Sequence, residues 1–343
     1  MRNRPALLLF ALFFAWAVSG QSYQSYFTGN PVDAVTRPTG GICLMGGSTE
    51  NDEAMRWFLR SANAGDVLVL RASGSDGYNE YFYSGLGVPV NSVETLVFND
   101  ASASHEAYIH QRIEKAEAIW IAGGDQWNYV SYWRNTPIDS LINQAVKSRH
   151  IAIGGTSAGM AVLGGFYFSA RFDTVTSDTA LANPYDPRVA VDSAAFISPP
   201  ILANVITDTH YANRNRQGRH VVFLARILAD YGVRAKGIAC DETVAVCIPE
   251  AGPARIFGDY PDSENKAYFI QINDTWADAY PQKCSEASPL DWNLGAETLR
   301  VYAVSGTMDG THTFDLTDWK TGKGGEWETW YVDHGVLFKG KLK

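Results

Sequence analysis

The sequence predicts an α/β fold: a mostly parallel sheet with helices on both faces, followed by a mainly β C-terminal region. Three observations predict it: short aliphatic runs, helical stretches between them, and glycine-rich loops closing several of the runs. A parallel strand is covered on both faces, so it reads as a nearly continuous apolar run rather than as an alternation.

Taken in order, residues 1–20 read as an export signal. Arg2 and Arg4 give a positive start, residues 6–18 an apolar core and Val18-Ser19-Gly20 a small-residue cleavage site. The core is too short for a membrane span, which needs roughly 20 apolar residues. The expected product starts near Gln21, carries no membrane span and is periplasmic or extracellular, with an uncleaved N-terminal anchor as the alternative. A polar segment, 21–38, leads into the α/β catalytic domain expected over 39–253. There Gly41-Ile42-Cys43-Leu44-Met45 predicts a strand opening into Gly46-Gly47, and residues 53–62 an amphipathic helix. Further strands are predicted at 66–70, 93–98 and 118–122, with a helix over 105–117 and a strand through Ile151-Ala152-Ile153. Residues 164–205 form a long excursion broken by prolines. Order then returns as a strand at 205–207, a helix over 218–231 and a strand pair within 237–248. Residues 254–343 alternate short apolar runs with turn residues and read as mainly β. The tryptophans there, among them Trp276, Trp292, Trp319, Trp327 and Trp330, read first as packing residues and second as a polymer-binding surface.

Composition narrows the function. With 343 residues, 46% hydrophobic and 19% charged, the chain buries a sizeable core. A formal net charge of -9 argues against nucleic acid as the main partner. The four cysteines permit disulfides in an oxidising compartment, with Cys43 read as a buried small hydrophobe and Cys247–Cys284 or Cys240–Cys247 as the expected pairs. No zinc spacing occurs, and neither Gly46-Gly47 nor Gly123-Gly124 completes a nucleotide-binding loop.

The chemistry concentrates in two places. Gly155-Thr156-Ser157-Ala158-Gly159 has the spacing of a nucleophile elbow, in which a serine projects from a sharp strand-to-helix turn and small flanks are a steric requirement. The plainer reading is that Ser157 caps the helix predicted over 158–163. The second place is the run Asp208 to Arg219, where His210 follows a strand and offers a base for a serine hydroxyl. Arg214, Arg216 and Arg219 suit a carboxylate-bearing substrate or, as plainly, a solvated helix face.

Four blocks carry a family resemblance: Gly123-Gly124-Asp125-Gln126, the Ser157 elbow, the Asp208-Thr209-His210 box with its arginines, and the block from Gly237 to Ala245. In this order they resemble the cyanophycinases, within a serine peptidase family that also holds aspartyl dipeptidases. The resemblance implies a flavodoxin-like sheet akin to class I glutamine amidotransferases, usually as a homodimer, and no cofactor. It further implies cleavage of cyanophycin, a poly-aspartate backbone bearing arginine on each side chain, to β-Asp-Arg dipeptides through an acyl-enzyme. On this resemblance Ser157 is the nucleophile, His210 its base, and Gln126, Asp208, Thr209, Arg214, Arg216 and Arg219 the substrate-binding residues. The amides of Gly124 or Asp125 and of Ala158 are the expected oxyanion donors. Asp178 is the expected orienting acid, with Asp173 and Glu242 behind it and a bare turn role as the alternative. Thr209 departs from the family, which often has Gln there, and this leaves the substrate open between cyanophycin and other aspartyl or isoaspartyl peptides. A non-catalytic polymer-binding module is the reading from a different class.

Overall fold

The structure, a computed structural model, describes residues 21–193 and 196–342; the expected leader lies outside them. Strands β1 (Tyr23–Gly29), β2 (Gly41–Met45), β3 (Asp66–Arg71), β4 (Ser92–Phe98), β5 (Ala118–Ile121) and β6 (Ala152–Thr156) start the first sheet. Within it β4, β3, β5, β6 and β2 lie side by side and parallel. All residues of β4, β5 and β6 are buried, as continuous aliphatic runs demand. The α/β, flavodoxin-like expectation holds. The polar segment before β2 was expected to carry no element, yet β1 pairs antiparallel with β4 along its whole length and covers that edge. Its burial alternates poorly, which hid it in the sequence.

Helices cover both faces. Helix Asp52–Ser61 is capped by Asn51, whose side chain accepts the Ala54 N–H at 3.1 Å. It presses Met55, Phe58 and Leu59 onto Val67, Val69 and Trp120. On the other face helices Ala107–Lys115, Gln126–Trp133 and Pro137–Arg149 bury Ile109, Ile113, Tyr129, Trp133, Ile138 and Ile142 against Leu68, Leu96, Ile119 and Ile153. Each such aliphatic side chain contributes roughly 1.5–3 kcal/mol by leaving water.

The chain then builds a second sheet. β7 (Phe166–Phe168), β8 (Val191–Ser193), β9 (Val205–Asp208) and β10 (Lys236–Cys240) lie together in it, with β10 and β9 parallel. The strand pair expected within 237–248 is corrected here. β11 (Ala245–Ile248) returns to the first sheet and pairs with β2, whereas β10 stays in the second. The turn Asp241-Glu242-Thr243 therefore crosses between sheets instead of closing a hairpin.

The C-terminal strands continue both sheets. β12 (Ala254–Tyr260) pairs with β11, while β13 (Lys266–Ile272) and β14 (Leu299–Ser305) extend β10. β15 (His312–Phe314) and β16 (Gly322–Lys323) finish the first sheet; β17 (Gly325–Asp333) and β18 (Val336–Lys341) finish the second. One core joins the sheets, mixing Leu44, Val246 and Ile256 with Ile238, Phe269 and Tyr302. A separate core packs helices Ser177–Ala182 and Gln217–Tyr231 on the outer face of the second sheet, with Trp292 and Trp330 inside it. Trp292, Trp319 and Trp330 are buried, so the packing reading holds for these three.

The expected disulfides do not form; all four cysteines are free. Register explains this, because antiparallel β2 and β11 set Cys43 opposite Cys247 with their sulfurs 3.6 Å apart. No helix among the described residues is long and apolar enough to cross a membrane.

Candidate active site

The loops after β2, β5, β6, β9 and β10 meet at the carboxyl ends of the parallel strands, where an open α/β sheet has its crevice. Ser157 leaves β6 with φ 51° and ψ -115°, a conformation L-residues rarely adopt. The glycines around it are steric necessities. A Cβ on Gly159 would lie 2.0 Å from the carbonyl oxygen of Ile121, and one on Gly155 2.5 Å from Gly159 C. The Ser157 N–H donates to the Met45 carbonyl at 3.1 Å and locks the elbow against β2. It does not cap its helix with the side chain, which is turned toward histidine instead.

His210 closes the pair. It also sits at positive φ, 46°, and its N–H donates to the Gly46 carbonyl at 2.9 Å. Gly47 lies under the ring, so close that a Cβ there would stand 2.4 Å from Nε2. That is why the loop after β2 is glycine-rich without being a nucleotide loop. Ser157 Oγ is 2.8 Å from His210 Nε2, and His210 Nδ1 is 2.6 Å from Glu242 Oε1. With the ring proton on Nδ1 and donated to Glu242, Nε2 is left to accept from the serine hydroxyl.

Glu242, not Asp178, is therefore the acid against the imidazole. Asp178 lies exposed in the first turn of helix Ser177–Ala182, a favourable place for an acid but not one facing His210. Asp173 is exposed as well and accepts its neighbour's N–H, from Thr174. The turn between sheets fixes Glu242 from both sides: its N–H donates to Asn213 Oδ1 at 2.8 Å, and Asn265 Nδ2 donates to its carbonyl at 2.9 Å. The adjacent Asp241 points inward and accepts the N–H groups of Ala212 at 2.6 Å and Lys266 at 2.9 Å, which ties the histidine loop to β13. Burial holds His210 below the usual histidine pKa; the hydrogen bond to Glu242 opposes this, and Arg214 and Arg216 reinforce it. The imidazole is thus neutral, and a base, at neutral pH.

The remaining expected residues divide. Gly123 stands beside the elbow, with a Cβ there 3.6 Å from Ser157 Cβ, and Tyr129 Oη donates to the carbonyls of Ala122 and Gly123 to hold the loop. Gly124 and Asp125 follow Gly123 in the chain, and Ala158 follows Ser157. The Asp125 side chain caps helix Gln126–Trp133, and Gln126 Nε2 donates to the Phe168 carbonyl at 2.7 Å. Arg219 corrects the expectation of a free substrate-gripping guanidinium. It is 2% exposed, grips Asp208 with Nε and Nη2 at 2.9 and 2.5 Å, and gives Nη1 to Thr174 Oγ1 and the Val175 carbonyl. Asp208, equally buried, is consumed by the same pair; burial opposes its ionisation, yet Arg219 and then Arg216 hold its pKa below the ordinary value. Arg216 donates to the carbonyl and hydroxyl of Thr209, and burial lowers its pKa to about 10. Only Arg214 of the three is exposed, 3.7 Å from Glu242.

A model of peptidase family S51 matches residues 42–252, more than half of the chain. The chain belongs to peptidase family S51. Among the family's curated relatives, the cyanophycinase of Geminocystis herdmanii is 31% identical over 150 residues, 44% of this chain and 49% of that protein. The cyanophycinase of Trichormus variabilis is 27% identical over 166 residues, 48% of this chain and 50% of that protein. The chain thus spans about half the length of the curated relatives it matches. A peptidase from an acI-B1 Actinobacterium, of known crystal structure, covers 68% of this chain at 16% identity and a TM-score of 0.49.

Proposed function

We propose that the protein is a serine-type peptidase that opens peptide bonds at aspartyl residues through an acyl-enzyme. The observation carrying this reading is the continuous relay Ser157 Oγ, His210 Nε2, His210 Nδ1 and Glu242 at 2.8 and 2.6 Å. His210 takes the serine proton as Oγ bonds to the substrate carbonyl carbon, and returns it to the leaving amine; water repeats the sequence to release the acid. Charge developing on the carbonyl oxygen is met by the backbone amides of Ala158 and of Gly124 or Asp125.

The relatives named above point to cyanophycin as substrate, with β-Asp-Arg dipeptides as product. The engagement of Asp208 with Arg219, and of Arg216 with Thr209, favours a second substrate reading: other aspartyl or isoaspartyl peptides, met by the exposed Arg214. Incubation with insoluble cyanophycin beside a panel of acidic dipeptides separates the two by the products released. Ser157→Ala should abolish release from whichever substrate is cut, while the melting temperature stays put. Turnover surviving that replacement would defeat the assignment. Export and homodimerisation belong to the same proposal, and the N-terminal residue of secreted protein and its mass by light scattering test them.

A further inference from the structure

A cavity of about 260 Å³ lies between the start of helix Gln217–Tyr231 and the last strands of the second sheet, lined by Gln217, Tyr268, Glu328, Trp330, Lys339 and Lys341. It borders the histidine loop on two sides. Tyr268 Oη is 3.4 Å from Asp241 Oδ2, the carboxylate that anchors Ala212 and directly precedes Glu242. Gln217 follows Arg216, whose guanidinium holds the Thr209 carbonyl beside His210.

We propose that this cavity is a subsite for a carboxylate-bearing residue of an acidic peptide, outside the residues that cleave the bond; the inference rests on the peptidase reading. The side chains present unspent donors. Gln217 is largely buried, but its side-chain amide reaches the solvent of the cavity and makes no hydrogen bond among the described residues. A donor that is not spent inside the protein is open to a ligand oxygen. Lys339 makes no ion pair among the described residues and stands 5.6 Å from the centre of the Trp330 ring. Glu328 accepts the Trp330 indole N–H at 2.6 Å, so the acid orients the ring and is partly occupied in doing so. Lys341 meets Glu326 at 3.0 Å, but both side chains are more than two-thirds exposed, and a pair so solvated is readily exchanged for another carboxylate. One amide and two ammonium groups around an indole wall match an aspartyl side chain in an extended chain. Every one of these residues except Gln217 lies beyond the family match, which ends at residue 252, so the subsite is a contribution of this chain's own C-terminal strands.

The test uses full-length Ser157→Ala protein and two hexapeptides, all-Asp and all-Asn, in titration calorimetry. Hexa-aspartate is expected to bind, and Lys339→Gln with Lys341→Gln to weaken it about tenfold with the asparagine peptide unaffected. An affinity unchanged by the double replacement, or no measurable binding of hexa-aspartate, overturns the subsite. Labelling of Ser157 in otherwise unaltered protein by a fluorophosphonate, expected at equal rates with and without the lysine replacements, reports the peptidase reading separately. Labelling together with hexa-aspartate binding that ignores the lysine replacements sinks the subsite alone; lysine-dependent hexa-aspartate binding without labelling sinks the peptidase reading alone.

Discussion

His210 and Arg219 belong to one short segment, yet their polar groups have opposite fates. His210 keeps one nitrogen on Glu242 and turns the other to Ser157, a hydroxyl that a substrate carbonyl can take over. Arg219 gives its donors to Asp208, Thr174 and Val175 and is closed off from water. A strand end that enters a crevice supplies chemistry, whereas the first turn of the following helix supplies the anchor that holds the strand end in place. Two charged residues in one motif are therefore not two functional residues of one kind.

The comparison breaks most visibly under single replacements. Arg219→Ala leaves Asp208 buried without its partner, and chemical denaturation should show a loss of about 3–5 kcal/mol. Glu242→Gln should barely move the denaturation midpoint but lower turnover about 10²- to 10⁴-fold, because the imidazole loses the acceptor that fixes its tautomer. Asp178→Asn should do neither. If Arg219→Ala proved harmless to stability, or Asp178→Asn crippled turnover, the division drawn here would be wrong.

Much of this was legible in the sequence, and the misses have physical causes. The parallel strands and the elbow were readable because a doubly covered strand and a crowded turn each allow few residue types. Ser157 and His210 emerged from local pattern, since each follows a strand end. Glu242 ranked behind Asp178 because Asp241-Glu242 offers two adjacent acids, and only the crossing from β10 to β11 decides which one turns inward to the backbone amides and which to the imidazole. The arginines read as substrate ligands because spacing gives no measure of burial. Strand β1 was hidden by its half-solvated, irregular pattern on an edge.

A second contrast lies between two histidines of that same segment. His220 is wholly buried and has its pKa lowered to about 4 by burial, partly opposed by Asp208. Above the ordinary value of about 6.5 both folded and unfolded chains hold this ring neutral, and it adds no pH dependence. As pH falls from there toward 4 the unfolded chain takes up a proton that the folded one refuses, so stability drops, by on the order of 3 kcal/mol at most. His210, shifted in the same direction, adds to the slope. His220→Leu should therefore flatten, without abolishing, the loss of stability between pH 6.5 and 4 in denaturation series. An unchanged slope would mean that His220 is protonated inside the folded protein.

The smallest effect sharpens the picture of the crevice itself. Arg214 stands in solvent 3.7 Å from Glu242 and acts on His210 only through space, favouring the neutral ring. The acid limb of kcat/KM should accordingly lie below pH 6.5, where unperturbed histidine titrates. Arg214→Ala removes one cation, so the His210 pKa rises and the limb moves to higher pH. The displacement is small because water and salt screen an exposed guanidinium. Raising the ionic strength of unaltered protein should move the limb in the same direction, and the Arg214→Ala variant should respond less to salt. Glu242→Gln must do the reverse: with the raising influence of the carboxylate gone, what activity remains should persist to lower pH. Limbs that shift together in the two variants would show that Arg214 and Glu242 act as a single pair on each other and not as opposing influences on the imidazole.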